Sequence, residues 1–393
     1  MTAPPALDGI TVLDFSTVGP AARCARILAD YGARVVKVGA PPKRSGAQIE
    51  PPYYAYSAQR GMKRTRIDLK ATDGRAAFLK LAAEADVILE SFRPGVVNRL
   101  GIGYEDVRRI NPRIVYCSTS GYGQDGPHAR WAGHDLNYLA VAGFLDCSGR
   151  RGDGGPPIPG ATLADSAGGG MHAAIAILAA LMRRDRGGAG EYLDVSVADG
   201  VLSLMSLVVD EHLATGAEPG PGHDILTGRY ACYDVYRAGD GKWLSVAAIE
   251  PAFYANLCRA LALEEWIPHQ TDDARQDEIR RAFRTAFAGR DRDAWVADLA
   301  PADTCVAPVN TIAELVRDPH FESRGAFAEA VHERHGSFRQ LAPILAGTGT
   351  GIPRSGGPIE VPDTSVTDTD GLLRDAGISE EEIATMRREG VVA

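Results

Sequence analysis

Apolar and polar positions alternate with two different periods along the first half of the chain. Short apolar runs predict buried strands at residues 10–15, 33–38, 87–90, 113–118 and 192–197. Apolar residues at helical spacing predict helices at residues 21–31, 74–85, 168–184 and 201–213. This alternation of strands and helices predicts an α/β fold with a Rossmann-like parallel sheet. Ligands of such sheets bind beyond the carboxyl ends of the strands.

The second half of the chain predicts a smaller α+β domain. Strands are expected at residues 230–237 and 243–248, and helices at residues 253–262, 276–287, 291–299 and 368–389. A stretch rich in glycine, proline and alanine follows residue 213 and indicates a linker. We therefore predict a large domain at residues 1–213, a linker at 214–228, a small domain at 229–325 and a return segment at 326–393, whose helix completes the large domain.

Composition narrows the function. A chain of 393 residues is too long for one ordinary apolar core, which predicts two domains. Its net charge of -9 argues against a nucleic-acid partner. We find no signal peptide and no apolar run long enough for a bilayer, so no membrane partner is expected. The six cysteines form no CxxC pair, which favours free thiols in a cytoplasmic protein and no metal site.

Common catalytic and nucleotide-binding motifs are missing. The first predicted strand is followed by Ser16-Thr17-Val18-Gly19-Pro20, which lacks the GxGxxG pattern of dinucleotide-binding folds. The sequence also has no Walker A, GxSxG or HExxH motif. A nicotinamide-dependent enzyme is therefore disfavoured, although the fold alone would permit one.

Three residues stand out as candidates for acid/base chemistry: His134, Asp165 and Glu250. Each lies where a helix is predicted to begin, so each is also a plausible helix cap. Asp165 precedes three consecutive glycines, and glycine lets a ligand approach the backbone closely. Together, two carboxylates and an imidazole could form an acid/base set.

Several motifs, in the same order along the chain, resemble those of the class III CoA-transferase (CaiB/BaiF) superfamily. They are residues 7–38, Lys63-Arg64 followed by Asp68-Leu69-Lys70, Phe92-Arg93-Pro94-Gly95, Gly121-Tyr122-Gly123-Gln124-Asp125-Gly126-Pro127, and Asp318-Pro319-His320 followed by Arg324-Gly325.

This resemblance implies an interlocked homodimer that acts on coenzyme A thioesters. Coenzyme A would enter as part of the substrate, with no prosthetic group and no metal. The active site would lie between the large domain of one chain and the small domain of the other. The residues expected to contact coenzyme A are Val18, Lys37, Leu69, Lys70 and Arg93. Basic side chains among them suit its phosphates.

Two further segments are similar to motifs of the α-methylacyl-CoA racemases: Gly133-His134-Asp135-Leu136-Asn137-Tyr138 and Ala248-Ile249-Glu250-Pro251-Ala252-Phe253-Tyr254. The resemblance implies that His134 and Asp165 exchange protons with the α-carbon, while Glu250 orients His134. Backbone N–H groups after Asp165 would hold the enolate oxygen.

Three features depart from the racemase pattern and leave an alternative open. Ala161 stands where such racemases usually carry asparagine, Asp165-Ser166 is more similar to the transferases, and Gly39 replaces the glutamate that usually follows the second strand. In a transferase, Asp165 would be a nucleophile that forms an aspartyl-CoA thioester. The sequence therefore favours a racemase of 2-methyl-branched acyl-CoA, with CoA transfer between carboxylic acids as the alternative.

Overall fold

The computed structural model describes residues 4–42, 60–343, 358–363 and 365–393. The chain divides into two compact units. The first consists of Met1–Ala142, Pro159–Ser206 and Pro319–Ala393, and the second of Gly143–Ile158 and Leu207–Asp318. The sequence-based boundaries treated residues 1–213 as continuous, whereas Gly143–Ile158 groups with the second unit.

Six parallel strands form the centre of the first unit, in the order β3-β2-β1-β4-β5-β6. They are β1 (Thr11–Asp14), β2 (Arg34–Gly39), β3 (Lys63–Arg66), β4 (Val87–Glu90), β5 (Val115–Ser120) and β6 (Glu191–Ser196). The predicted parallel α/β sheet is confirmed. Strand β3 escaped prediction because its sequence, KRTR, contains no apolar run.

The helices cover both faces of this sheet and also build the second unit. In chain order they are α1 (Gly19–Asp30), α2 (Thr72–Ala83), α3 (Val96–Leu100), α4 (Tyr104–Arg108), α5 (Asp135–Val141), α6 (Phe144–Cys147), α7 (His172–Asp185), α8 (Val197–Leu204), α9 (Ser206–Thr215), α10 (Pro251–Ala260), α11 (Gln276–Phe287), α12 (Arg292–Leu299), α13 (Ile312–Leu315), α14 (Pro319–Ser323), α15 (Thr369–Asp375) and α16 (Glu380–Arg388). A π-helix, Ala164–Met171, leads directly into α7.

The first unit has an apolar core on each face of its sheet. One core contains side chains of α1 and α7, such as Leu28 and Ile177. The other contains side chains of α2, α15 and α16, such as Phe78, Leu373 and Ile383. The C-terminal segment is therefore part of this core, and its single predicted helix is two helices, separated where Gly377 has a φ of 76°.

Antiparallel pairing characterises the second unit. Its sheet has the order β7-β8-β9, made of β7 (Tyr233–Arg237), β8 (Trp243–Ala247) and β9 (Val306–Pro308). Helices α10, α11 and α12 pack around it in an apolar core. A third sheet, in the first unit, was not predicted and contains β10 (Phe327–His332), β11 (Gly336–Leu341) and β12 (Ile359–Val361).

A buried ion pair joins the carboxyl ends of β1 and β2. Asp14 and Lys37 are register partners, and their side chains form an ion pair of 2.7 Å. Lys37 Nζ also donates to Ser16 Oγ at 3.3 Å, and the Ser16 N–H donates to Asp14 Oδ1 at 2.7 Å. Lys37, expected to face a nucleotide phosphate, is only 3% exposed and holds the residues that follow β1 instead.

Replacing Lys37 with methionine should strongly destabilise the fold, because the Asp14 carboxylate would stay buried without its cation. We expect the free energy of unfolding to fall by about 3–5 kcal/mol. The matched control is Arg34→Ala on the same strand, whose ion pair with Asp375 is exposed. In urea unfolding, the control should lower the free energy of unfolding by less than about 1 kcal/mol. Equal losses in the two variants would contradict the assignment.

Candidate functional site

A cleft of about 630 Å³ opens at the carboxyl edge of the parallel sheet. Its walls include Phe15 and Val18 after β1, Phe92 and Arg93 after β4, and Ser120 at the end of β5. The strand order turns back at β1, which pairs with both β2 and β4. The cleft therefore lies where doubly wound sheets bind their ligands.

The start of helix α5 brings His134 into this cleft. His134 is the N-cap residue, and its N–H donates to Asn137 Oδ1 at 3.0 Å. Its side chain makes no cap hydrogen bond and is an exposed part of the cleft wall. The Tyr138 hydroxyl donates to the Gly133 carbonyl at 2.6 Å and fixes the turn before His134. His134 is thus a helix cap through its backbone, while its imidazole faces the cleft.

Asp165 lies close to His134 through a contact that involves Asp135. The Asp165 N–H donates to Asp135 Oδ1 at 2.8 Å, and Asp135 directly follows His134 in the chain. The Asp165 side chain is 17% exposed and lies 3.7 Å from the Arg23 guanidinium. Arg23 is held in turn by the Thr162 hydroxyl at 2.6 Å. The structure therefore brings together two of the three predicted catalytic residues.

The surroundings of Asp165 favour proton exchange. Burial raises the pKa of this carboxyl above its ordinary value, while the positive charge of Arg23 opposes the shift. The negative charge of Asp135 raises the pKa further, and His134 lowers it. An acid with a raised pKa is better suited to take up and return a proton near neutral pH.

Asp165 is the second residue of a π-helix, whereas the sequence predicted a helix cap at this position. The N-cap is Leu163, and the π-helix runs from Ala164 to Met171. Its glycines allow close contacts with neighbouring helices: a Cβ on Gly169 would lie 2.4 Å from Pro20 of α1. π-Helical turns often occur at functional sites.

Backbone N–H groups near Asp165 are already bonded. The N–H of Asp165 donates to Asp135, and that of Ser166 donates to the Thr162 carbonyl at 3.0 Å. The expectation that the first N–H groups of this helix would hold an enolate oxygen therefore finds no support at these two residues.

The five residues expected to contact coenzyme A do not all reach the cleft. Val18 and Arg93 line it, and Arg93 is exposed. Lys37 is in the internal ion pair described above. Leu69 and the exposed Lys70 follow β3 at the same edge of the sheet, outside the lining of this cleft.

Glu250 belongs to the second unit. It follows β8 and is the exposed N-cap residue of α10, with Pro251 in the first helical position. The Gln270 amide donates to the carbonyls of Ala248 and Ile249 at 3.1 and 2.8 Å and so fixes the end of β8. Burial first, and the charge of Glu250 second, raise the pKa of the nearby Cys305 thiol.

Sequence reasoning missed two residues at the site, Asp135 and Arg23. The adjacency of Asp135 to His134 was a signal for the first. Nothing in the helical pattern marked Arg23, because its approach to Asp165 depends on how α1 packs against the π-helix. Within the described part of the chain, no group of three or more His, Cys, Asp or Glu residues could hold a metal ion. The six cysteines are free, as predicted.

Comparisons with known proteins identify the family. The model of CoA-transferase family III matches residues 7–359. The chain belongs to CoA-transferase family III. It is 35% identical to α-methylacyl-CoA racemase of Homo sapiens over 98% of this chain and 97% of that protein. It is 31% identical to an acyl-CoA transferase of Fusarium pseudograminearum over 98% of this chain and 88% of that protein. A solved CaiB/BaiF family protein from Brucella suis is 27% identical and has a TM-score of 0.74, with coverage of 91% and 95%.

The span matched by CoA-transferase family III includes His134, Asp165 and Glu250. Relatives within the family carry the names of both racemases and CoA-transferases, which points to an enzyme. The family therefore confirms the resemblance seen in the sequence, and the choice between the two activities depends on the chemistry of the cleft.

Substituting Gly200 with alanine should disturb the packing around Asp165. A Cβ on Gly200 of α8 would lie 1.8 Å from the Gly168 carbonyl oxygen of the π-helix, so the two helices would have to separate. In urea unfolding, we expect the free energy of unfolding to fall by about 1–3 kcal/mol or more. The matched control, Gly371→Ala in α15, meets no atom within 4 Å and should be neutral or stabilising. Equal stability of both variants would contradict this packing.

Proposed function

We propose that this protein is a racemase or epimerase that acts on the α-carbon of a 2-methyl-branched acyl-CoA. The observation that carries the proposal is the pairing of His134, which lines the cleft, with Asp165, which is not among the lining residues but whose N–H donates to Asp135, the residue after His134. Inversion at carbon needs a base on one face and an acid on the other, and a carboxylate with an imidazole can supply both.

The proposed reaction is a 1,1-proton transfer. Asp165 takes the α-proton on one face, and the electron pair of the C–H bond moves into the thioester carbonyl to give an enolate. His134 then donates a proton to the opposite face of the same carbon, and the carbonyl re-forms. For the other substrate hand, the two residues exchange roles. The raised pKa of Asp165 helps it to return its proton.

Recognition of the coenzyme A portion is assigned to loops at the carboxyl edge of the sheet. Arg93 offers an exposed guanidinium in the cleft, and guanidinium groups bind phosphate with paired hydrogen bonds. Val18 supplies an apolar wall in the same cleft. The human racemase relative supports a branched acyl-CoA as substrate.

CoA transfer between carboxylic acids is the second candidate, favoured by Ala161 and the Asp165-Ser166 pair. The Asp165 carboxylate would attack the thioester carbonyl and release CoA thiolate, leaving a mixed anhydride. The thiolate would then attack the aspartyl carbonyl and release the first acid. An acceptor carboxylate would regenerate the anhydride, and the returning thiolate would form the new acyl-CoA and free Asp165. The Fusarium relative supports this reading.

The variant His134→Ala tests the proposed proton transfer. Incubation of an (R)-2-methylacyl-CoA in deuterated water should give α-deuterium and both epimers with the wild-type protein. Removal of the imidazole should slow epimerisation by about 10²–10⁴-fold, because one face loses its proton donor. The matched control is His269→Ala, since His269 pairs with Asp272 in the second unit.

CoA transfer through Asp165 instead predicts a covalent adduct on that residue. A mass shift on Asp165 with acyl-CoA, sensitive to hydroxylamine, would favour the transferase. An absence of deuterium uptake with branched acyl-CoA substrates, together with that adduct, would overturn the racemase proposal.

We further propose that two copies of the chain associate and share their active sites. The sequence was expected to contain no apolar run long enough for a bilayer. By length and composition alone, however, the helical stretch Ala164–Asp185 is long and apolar enough to cross a membrane. One face of it lies in the core through Ala173 and Ile177, while Met171, Ile175 and Met182 are exposed. A second copy of the chain would cover this exposed face.

In this homodimer, Glu250 of one protomer would complete the site that contains His134 of the other, as the family resemblance implies. Mixed dimers of His134→Ala and Glu250→Ala chains test this. If the sites are shared, one site of each mixed dimer has both native residues, and activity should return to about half of the wild type; recovery far above either single variant is expected. Mixed dimers as inactive as the single variants would show that both residues act within one chain.

A further inference from the structure

A second buried polar cluster lies beneath the cleft, on strands β4, β5 and β6, whereas the Asp14–Lys37 pair joins β1 and β2. Glu90 of β4, Ser118 of β5 and Asp194 of β6 are consecutive register partners at the same level of the sheet. Glu90 is only 1% exposed, and Ser118 is equally buried. A carboxyl group at such a position requires hydrogen-bond partners, because burying it without them would be costly.

Glu90 fixes the loop that follows β4. Its Oε2 accepts the Phe92 N–H at 2.7 Å, which bends the chain directly before Arg93. Its other oxygen, Oε1, accepts a hydrogen bond from the Ser118 hydroxyl. One carboxyl group therefore binds both the cleft loop after β4 and the neighbouring strand β5.

Gln124 extends this cluster to the loop that follows β5. Its side-chain amide donates to Ser118 Oγ at 2.8 Å, and its N–H donates to Asp194 Oδ2 at 2.9 Å. The loop between Ser120 and Gln124 contributes Gly121 and Tyr122 to the cleft wall. The chain Glu90–Ser118–Gln124 thus connects two walls of the cleft from behind, without lining the cleft itself.

We propose that Glu90 and Gln124, acting through Ser118, are positioning residues that set the two cleft loops for binding of the coenzyme A thioester. This inference rests on the proposed function, since it assumes that the cleft binds coenzyme A. Neither residue touches the reacting atoms. Loss of the cluster should therefore weaken binding more than it slows the chemical step.

The state of the Glu90 proton affects the cluster. Burial raises the pKa of Glu90 to about 7, against the hydrogen bonds from Ser118 and Phe92, which lower it. The described titratable groups that interact with it are Tyr116, Cys117, Tyr192 and Asp194. Burial raises the pKa of both tyrosines and of the cysteine, so these three stay neutral near pH 7. Burial also raises the pKa of Asp194.

Protonation of Glu90 changes what it can accept. Above its pKa, the carboxylate accepts hydrogen bonds from both Phe92 and Ser118. Below it, the protonated oxygen donates, and the Ser118 hydrogen has to turn from Glu90 toward another acceptor such as the Tyr192 hydroxyl, its other hydrogen-bond partner. Ser118 Oγ has two lone pairs and can accept from both Glu90 and Gln124, but hydrogen bonds to a neutral carboxyl group are weaker than those to a carboxylate. We therefore expect the loops to be held less firmly as the pH falls through about 7.

The test measures binding of free coenzyme A by calorimetry, at pH values from about one unit below to about two units above the raised pKa of Glu90. The variants are Glu90→Gln, which cannot ionise, and Gln124→Ala. The matched control is Glu84→Gln, an exposed residue next to the opposite, amino-terminal edge of β4. The phosphates of coenzyme A also titrate near neutrality, so affinity is expressed as the ratio of wild type to variant, which cancels that contribution.

Three results support the inference. Gln124→Ala should bind about fivefold more weakly, which corresponds to one net hydrogen bond. The affinity ratio of wild type to Glu90→Gln should change with a midpoint near pH 7, while the Glu84→Gln ratio stays flat. In turnover, KM should rise in both cluster variants with kcat less affected.

Failure of the inference is distinguishable from failure of the proposed function. If the wild-type protein does not bind coenzyme A, the proposed function is wrong. If it binds, and both folded cluster variants match Glu84→Gln in affinity and pH dependence, the positioning role is wrong. Thermal unfolding of each variant identifies any loss due to misfolding; in that case Ser118→Ala, which removes only a hydroxyl, decides by the same affinity criterion.

Discussion

Parallel pairing of six strands is the constraint on which the rest of the first unit depends. Because neighbouring strands run in one direction, the loops after β1, β4 and β5 all emerge at one edge of the sheet. The order turns back at β1, so the loops that follow β1 and β4 diverge and leave a cleft between them. The chemistry of the site then depends on which side chains the helices add to this edge.

Two carboxyl groups near that edge are buried, and each is matched by a partner on an adjacent strand. Asp14 meets Lys37 across β1 and β2, and Glu90 meets Ser118 across β4 and β5. An unpaired charge in these positions would be strongly destabilising. The pairs therefore hold the cleft loops from below, which leaves the loop side chains available for a ligand.

Asp165 depends on helix packing rather than on the sheet. The π-helix contacts α1 and α8 so closely that glycine is required at the contacts, as at Gly169 and Gly200. This approach places Arg23 beside the carboxyl group, and burial in the same place raises its pKa. Packing and acid/base chemistry at Asp165 are therefore consequences of the same close contact.

The sequence by itself determined the strands with apolar runs, the helix caps at His134 and Glu250, and, through its motifs, the family. These features are local, because they depend on periodicity and on short segments of chain. It did not determine β3, whose polar sequence forms a strand by pairing with β2. It also did not determine the role of Lys37, whose charge is neutralised by a residue on another strand. It also missed Asp135 and Arg23 as partners of Asp165. Only tertiary structure decides such contacts, because they join residues far apart in the chain whose distance is set by the packing of whole helices and strands.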